Sequence, residues 1–221
     1  MTIHNLGFNP KQLRKGAIMG TIAHAIWVAD DPLVAALQAW DGPHYLLNDV
    51  SGTIATITFG ESGVIGVFFD AKSARNPIAS SGPYSTDRYL EGMPDDLMLL
   101  AKKHTLQFML QEYQGKEVPV VTAALWSKEG ELVAVEPWED VLENGGHIIR
   151  LQLKDDETAL GEWQDNYALS GEQVGLLRSL FQRKLDSGDA RLRLADAEKR
   201  LLAGAGAEQS KDIFASIGID V

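Results

Sequence analysis

The sequence predicts an α+β fold, with antiparallel sheet built from two three-stranded segments, packed against helices and followed by a helical C-terminal region. Three observations carry this reading. Apolar residues recur at helical spacing near the N-terminus and again after residue 95; two stretches of β-branched and aromatic residues are broken by glycine turns; and a capped amphipathic pattern begins at residue 170. A hydrophobic fraction of 45% over 221 residues is enough for a packed core.

Asn9-Pro10 supplies a cap and a first-turn proline, after which Leu13, Ile18, Ile22 and Ile26 mark a helix ending near Asp30-Asp31-Pro32. Its core, Gly16 to Ala29, is too short for a bilayer, which takes roughly 20 apolar residues, and is broken by glycine where a signal peptide would need continuity. It is therefore expected to be a buried helix of a soluble, cytoplasmic protein. A second short helix is expected around Leu33, Leu37 and Trp40. His44 to Val50, Thr53 to Phe59 and Val64 to Asp70 read as an antiparallel meander with turns at Gly52 and Gly60-Glu61-Ser62-Gly63.

Pro77, Pro83 and Pro94 with Ser80-Ser81-Gly82 give residues 71–94 the composition of an irregular loop. From Asp95 a helix is predicted to about Tyr113, with Leu97, Leu100, His104 and Phe108 along one side. Val118 to Trp126 and Leu132 to Val135 form a second hairpin, and His147 to Lys154 reads as a further strand. Ser170 and Gln173 make a capping box ahead of Val174, Leu177 and Phe181, and Gly188 ends that helix. In the next predicted helix Ala190, Leu194, Ala197 and Leu201 form the apolar stripe, with Asp189–Arg193 and Asp196–Arg200 spaced for ion pairs. A short helix at Ile213, Phe214 and Ile217 closes the chain. The segments group as 1–75 (helix and meander), 76–94 (loop), 95–165 (helix, three strands and an acidic stretch) and 166–221 (helical), either separate or continuous as one domain.

The chain holds 31 acidic and 20 basic side chains, a net charge of −11, so phosphate backbones are repelled and nucleic acid is not an expected partner. The imbalance is local: residues 129–165 hold 11 acids against 2 bases, a net of −9. Glu136, Glu139, Asp140, Asp155, Asp156 and Glu157, with Trp138 and Trp163 among them, are the candidate partner-binding residues. Clustered carboxylates repel one another unless a cationic partner relieves them, and tryptophans are frequent interface anchors. An EF-hand starting at Asp156 fails, because Thr158, Leu160 and Tyr167 stand at ligand positions.

No cysteine is present, which excludes disulfides, thiolate nucleophiles and cysteine metal sites. Phosphate-loop, dinucleotide, zinc-protease and serine-elbow patterns are absent, and the five histidines are far apart in sequence. No catalytic residue, metal or cofactor is therefore assigned. A possible small-ligand site lies in the loop, where Arg75, Ser81, Tyr84, Asp87 and Arg88 combine guanidinium groups with hydroxyls, as carboxylate or phosphate binding requires. The expected function is that of a non-enzymatic cytoplasmic module whose acidic surface engages a basic protein, as an immunity protein or adaptor does. The alternatives are a hydrolase or transferase built around residues 75–88, and a structural or oligomer-forming protein using the helical tail.

Overall fold

A computed structural model describes residues 2–79, 84–188 and 190–221. Ser80, Ser81, Gly82, Pro83 and Asp189, which entered the loop site and one expected ion pair, lie outside the described residues. The strands are β1 (His4–Asn5), β2 (Gln38–Asp41), β3 (His44–Asn48), β4 (Thr53–Gly60), β5 (Gly63–Asp70), β6 (Leu110–Tyr113), β7 (Lys116–Pro119), β8 (Ala123–Lys128), β9 (Glu131–Ala134), β10 (Leu192–Arg193) and β11 (Ile219–Asp220). The helices are α1 (Pro10–Asp30), α2 (Asp95–Lys103), α3 (Trp138–Glu143), α4 (Asp156–Tyr167), α5 (Gly171–Ser187), α6 (Asp196–Arg200) and α7 (Ala207–Ser216). This is the mixed α+β architecture that the sequence predicts. Among the described residues no helix is long and apolar enough to cross a membrane.

The chain divides into two compact units, one of Met1–Lys11 and Pro43–Arg150, the other of Gln12–Gly42 and Leu151–Val221. In the first, antiparallel strands run in the order β1-β9-β8-β5-β4-β3. The expected meander forms, and its register runs from Thr53 opposite Asp70 to Gly60 opposite Gly63. Because β5 pairs directly with β8, both predicted strand-rich segments belong to one sheet. Seven of the eight residues of β5 are buried, as expected of a central strand covered on both faces. Ile65, Val67 and Phe69 pack with Leu97 and Ala101 of α2 and with Trp126 and Val133.

Three predicted elements of this unit differ from the structure. The single strand expected from Val118 to Trp126 is two, because β7 ends at Pro119 in a two-stranded sheet with β6 and β8 begins at Ala123 in the larger sheet. The helix from Asp95 stops at Lys103, a 3-10 turn spans Thr105–Met109, and Leu110–Tyr113 turns back as β6 against β7 in a separate two-stranded sheet. Thr105 is fully buried and shares a hydrogen bond with Thr58 at 2.8 Å, and the turn places Leu106 and Met109 in the core. His104 is consequently exposed rather than set on an apolar helix face. His147 to Lys154 is a 3-10 turn at Gly146–Ile149 followed by turns, and Ile149 and Leu153 reach buried positions without strand pairing.

The second unit is mostly helical. Met19, Ile22 and Ile26 of α1 pack with Trp163 of α4, Leu177, Leu180 and Phe181 of α5, Phe214 of α7 and Ile219 of β11. Thirteen α1 residues are buried, spread round the helix as in a central core helix. The expected second short helix is a 3-10 turn at Pro32–Leu37, capped by Asp31, which leads into β2. The capping box of Ser170 and Gln173 forms as the sequence predicts, with Gly188 at the C-cap of α5. The predicted helix from Ala190 is instead β10 and the short α6, because Leu192–Arg193 pairs in parallel with Ile219–Asp220. The ion pairs seen there are Arg183–Glu198 and Arg191–Asp220.

Candidate functional site

Residues 136–146 are held firmly against the sheet of the first unit. After Pro137 the six residues of α3 make little more than a turn and a half, with Glu139 and Asp140 in the first turn, where the helix dipole favours negative charge. Val141, 1% exposed, anchors the helix inward. Asn144 closes it: its side-chain amide donates to the Asp140 carbonyl at 2.8 Å, and its side-chain oxygen accepts from Ser73 at 2.5 Å. The Thr122 hydroxyl donates to the Asn144 backbone carbonyl at 2.7 Å. Gly145, at φ +116°, passes so near β5 that a Cβ there would lie 2.9 Å from that of Phe68. On this support Glu139 and Glu143 are exposed and Asp140 is half-buried. None of the three has an ion pair with Lys or Arg among the described residues. Trp138 is half-buried beside them, and its ring meets Phe8 edge-on at 5.1 Å.

Other carboxylates of the acidic stretch already have cations of the chain's own. Glu136 pairs with Arg75 at 2.5 Å. Within the second unit Asp156 pairs with Lys15, Glu162 with Lys154, and Glu157 with Arg178 through both guanidinium nitrogens. Asp155 is the N-cap of α4 and accepts from the Thr158 amide at 3.0 Å and hydroxyl at 2.7 Å, bonds that hold its carboxyl below the usual range. Trp163, expected as a surface anchor, is 6% exposed and packs on Tyr167 at 5.1 Å; burial against α1 and α5 removes it from any surface. Helical spacing carries the signal for this, since Ala159, Leu160 and Trp163 share one apolar face. Residues 156–167 form a continuous helix, which leaves no calcium loop.

The residues expected to form a loop site separate into two groups. Arg75 donates to Glu136 and to the Thr122 carbonyl, and its guanidinium and that of Arg88 both lie over the Tyr89 ring, at 6.0 and 4.8 Å. Tyr84 and Asp87 line a cleft of about 380 Å³ together with Thr86, Lys102, Tyr113 and Val118. The Tyr84 hydroxyl is bound to backbone, accepting the Val121 amide at 2.5 Å and donating to the Val121 carbonyl at 3.0 Å. Burial raises its pKa against the opposing effect of the Thr86 and Val121 bonds. Neither arginine and no histidine lines this cleft.

The histidines occupy structural or exposed positions. His24 is fully buried between Trp27 and Tyr167, and burial lowers its pKa to about 4 although the Ala35 carbonyl opposes the shift. His147 is exposed, with Nε2 3.3 Å from the Thr53 hydroxyl and 3.7 Å from Asp49. Asp49 also accepts from the Ser51 and Thr53 amides; burial raises its pKa, but these bonds outweigh it and bring the carboxyl to about 2. With threonine and aspartate on the same ring nitrogen, this group is not arranged as a nucleophile, base and orienting acid. Among the described residues no cluster of three His, Asp or Glu side chains is placed to hold a metal. In comparisons with protein-family models, with curated proteins and with solved structures, the chain finds no match.

Proposed function

We propose that this protein is a non-enzymatic binding module that engages a basic protein partner through the α3 face of its first unit. The observation that carries the reading is charge accounting by position. Glu139, Asp140 and Glu143 lack cationic partners among the described residues, whereas Glu136, Asp156, Glu157 and Glu162 have them. Trp138 adds an aromatic surface at the same place, and such residues set among charges contribute strongly when an interface desolvates them. The reading narrows the surface to α3 and leaves Asp155, Asp156, Glu157 and Trp163 with structural roles in the second unit. It places the protein in the cytoplasm, where an immunity protein or adaptor meets its target.

The test is capture of partners from the native host on immobilised protein at low and high salt, beside a Glu139→Gln, Asp140→Asn, Glu143→Gln variant and a Glu157→Gln control. A basic protein retained at low salt, released as the Debye length falls from about 10 Å at 0.1 M to about 3 Å at 1 M, and lost only by the triple variant supports the reading. Equal retention by the triple variant overturns it, as does the absence of any basic protein at low salt.

A further inference from the structure

His147 touches two elements of the first unit at once. It lies in the 3-10 turn after α3, where its Nδ1 is 3.2 Å from the Leu142 carbonyl oxygen of that helix, and its Nε2 faces the turn between β3 and β4. A carbonyl oxygen only accepts, so this contact puts the neutral ring's proton on Nδ1 and leaves Nε2 bare. Bare Nε2 accepts from the Thr53 hydroxyl at 3.3 Å. It stands 3.7 Å from Asp49 Oδ2, beyond hydrogen-bond distance, because these two acceptors have no proton to share.

Protonation changes the chemistry at that nitrogen. Nε2 becomes a donor facing a carboxylate, and such charge-assisted contacts settle at about 2.7–2.9 Å, so closing on Asp49 shortens the gap by about 1 Å. Asp49 is an anion wherever imidazoles titrate: burial raises its pKa, but the Thr53 and Ser51 bonds outweigh this and bring it to about 2. The other charged groups on the elements packed round His147 are Glu139, Asp140 and Glu143 of α3, Asp70 at the end of β5 and Arg150 after its own turn; β4 carries none. Histidine alone among these residue types ordinarily changes charge between about pH 5 and 8. We propose that His147 is a proton-operated clasp: neutral, it joins α3 to the β3–β4 turn through Leu142 and Thr53, and protonated, it takes up the Asp49 carboxylate and draws that turn onto α3. Leu142 lies between Asp140 and Glu143, so the clasp acts on the helix that carries the unpaired carboxylates. It stands on this geometry and not on the docking reading of α3, so either can fail alone.

Nitrogen shifts of the His147 ring in the intact protein, read at about pH 8, test the neutral state. A protonated Nδ1 with a bare Nε2 is expected, and the reverse tautomer overturns the proposal. Hydrogen exchange of the Ser51 and Thr53 amides, which donate to Asp49, tests the charged state. Relative to an unstructured peptide under the same conditions, both are expected to exchange about two- to fivefold more slowly at about pH 5 than at about pH 8, the range open to an exposed ion pair. His147→Gln, at a side chain 45% exposed, is expected to abolish that difference, and comparison with this variant at each pH removes the contribution of His24. Relative rates that do not respond to pH, or a slowing that persists in His147→Gln, overturn the clasp even where the ring titrates. The tautomer measurement uses the unaltered protein and stands even if the variant disturbs the fold.

Discussion

Gly16 brings the backbone of α1 so near Gln152 that a Cβ on this glycine would lie 2.0 Å from the Gln152 carbonyl oxygen. Glycine inside a helix ordinarily costs about 1 kcal/mol relative to alanine, so a surface Gly→Ala change would stabilise. Here the contact decides the sign, because the obstacle is backbone and cannot rotate away. Gly16→Ala is expected to destabilise by at least about 1 kcal/mol, since overpacking costs roughly 1–3 kcal/mol and at times more. Urea unfolding checks this, and an unchanged or raised midpoint contradicts the close approach.

The complementary experiment uses Gly161 in α4 and Gly175 in α5, where an added Cβ meets nothing within 4 Å. Both lie in helix interiors at ordinary helical φ, so only the entropy and propensity difference remains. Each change to alanine is expected to stabilise by about 0.4–1 kcal/mol, and the two together to add. Thermal or urea midpoints that fall instead would mean that these faces are covered.

His24 makes the fold sensitive to mild acid. Burial holds its pKa at about 4, partly opposed by the Ala35 carbonyl, whereas the unfolded chain titrates near 6.5. Between those values the unfolded state binds the extra proton, so the stabilising contribution is complete above about pH 6.5 and is lost as pH falls to about 4. The loss is bounded at about 3 kcal/mol, one pKa unit being worth 1.36 kcal/mol. Unfolding free energies of the wild type and His24→Leu across this range isolate the effect from that of the carboxylates. Parallel pH curves would remove His24 as the cause.

What was legible in the sequence was mainly local. The proline start of α1, the glycine turns of the meander and the Ser170–Gln173 box are set by residues a few positions apart, and all appear as read. The spacing predicts too long a helix after Asp95 because leucines at helical spacing also suit a turn followed by a strand. Gln114 and Gly115, at φ +52° and +73°, are the hairpin signal that periodicity masked. The acidic stretch was legible as arithmetic but not as a surface. Whether a carboxylate is spent internally depends on partners such as Lys15 for Asp156, 141 residues apart, which no local pattern exposes. Trp163 shows the same limit from the other side: its charged sequence neighbours point to water, while its helical neighbours Ala159 and Leu160 point to the core.

Tyr84 gives a last prediction, for the loop that the sequence offered as a ligand site. Its hydroxyl is the acceptor for the amide of Val121, a residue with no exposed surface, and the nearby Thr86 hydroxyl donates to the Pro119 carbonyl at 2.7 Å. Removing the acceptor while the amide stays buried leaves a donor without a partner, which costs about 1–3 kcal/mol, more than an average hydrogen bond contributes. Tyr84→Phe is therefore expected to lower stability by that amount and to speed hydrogen exchange at the Val121 amide, while the ring contact with Tyr113, 6.0 Å between centroids, is kept. A loss below about 0.5 kcal/mol with unchanged exchange would mean that the loop is not secured through this hydroxyl, and the cleft beside it would then have no fixed wall.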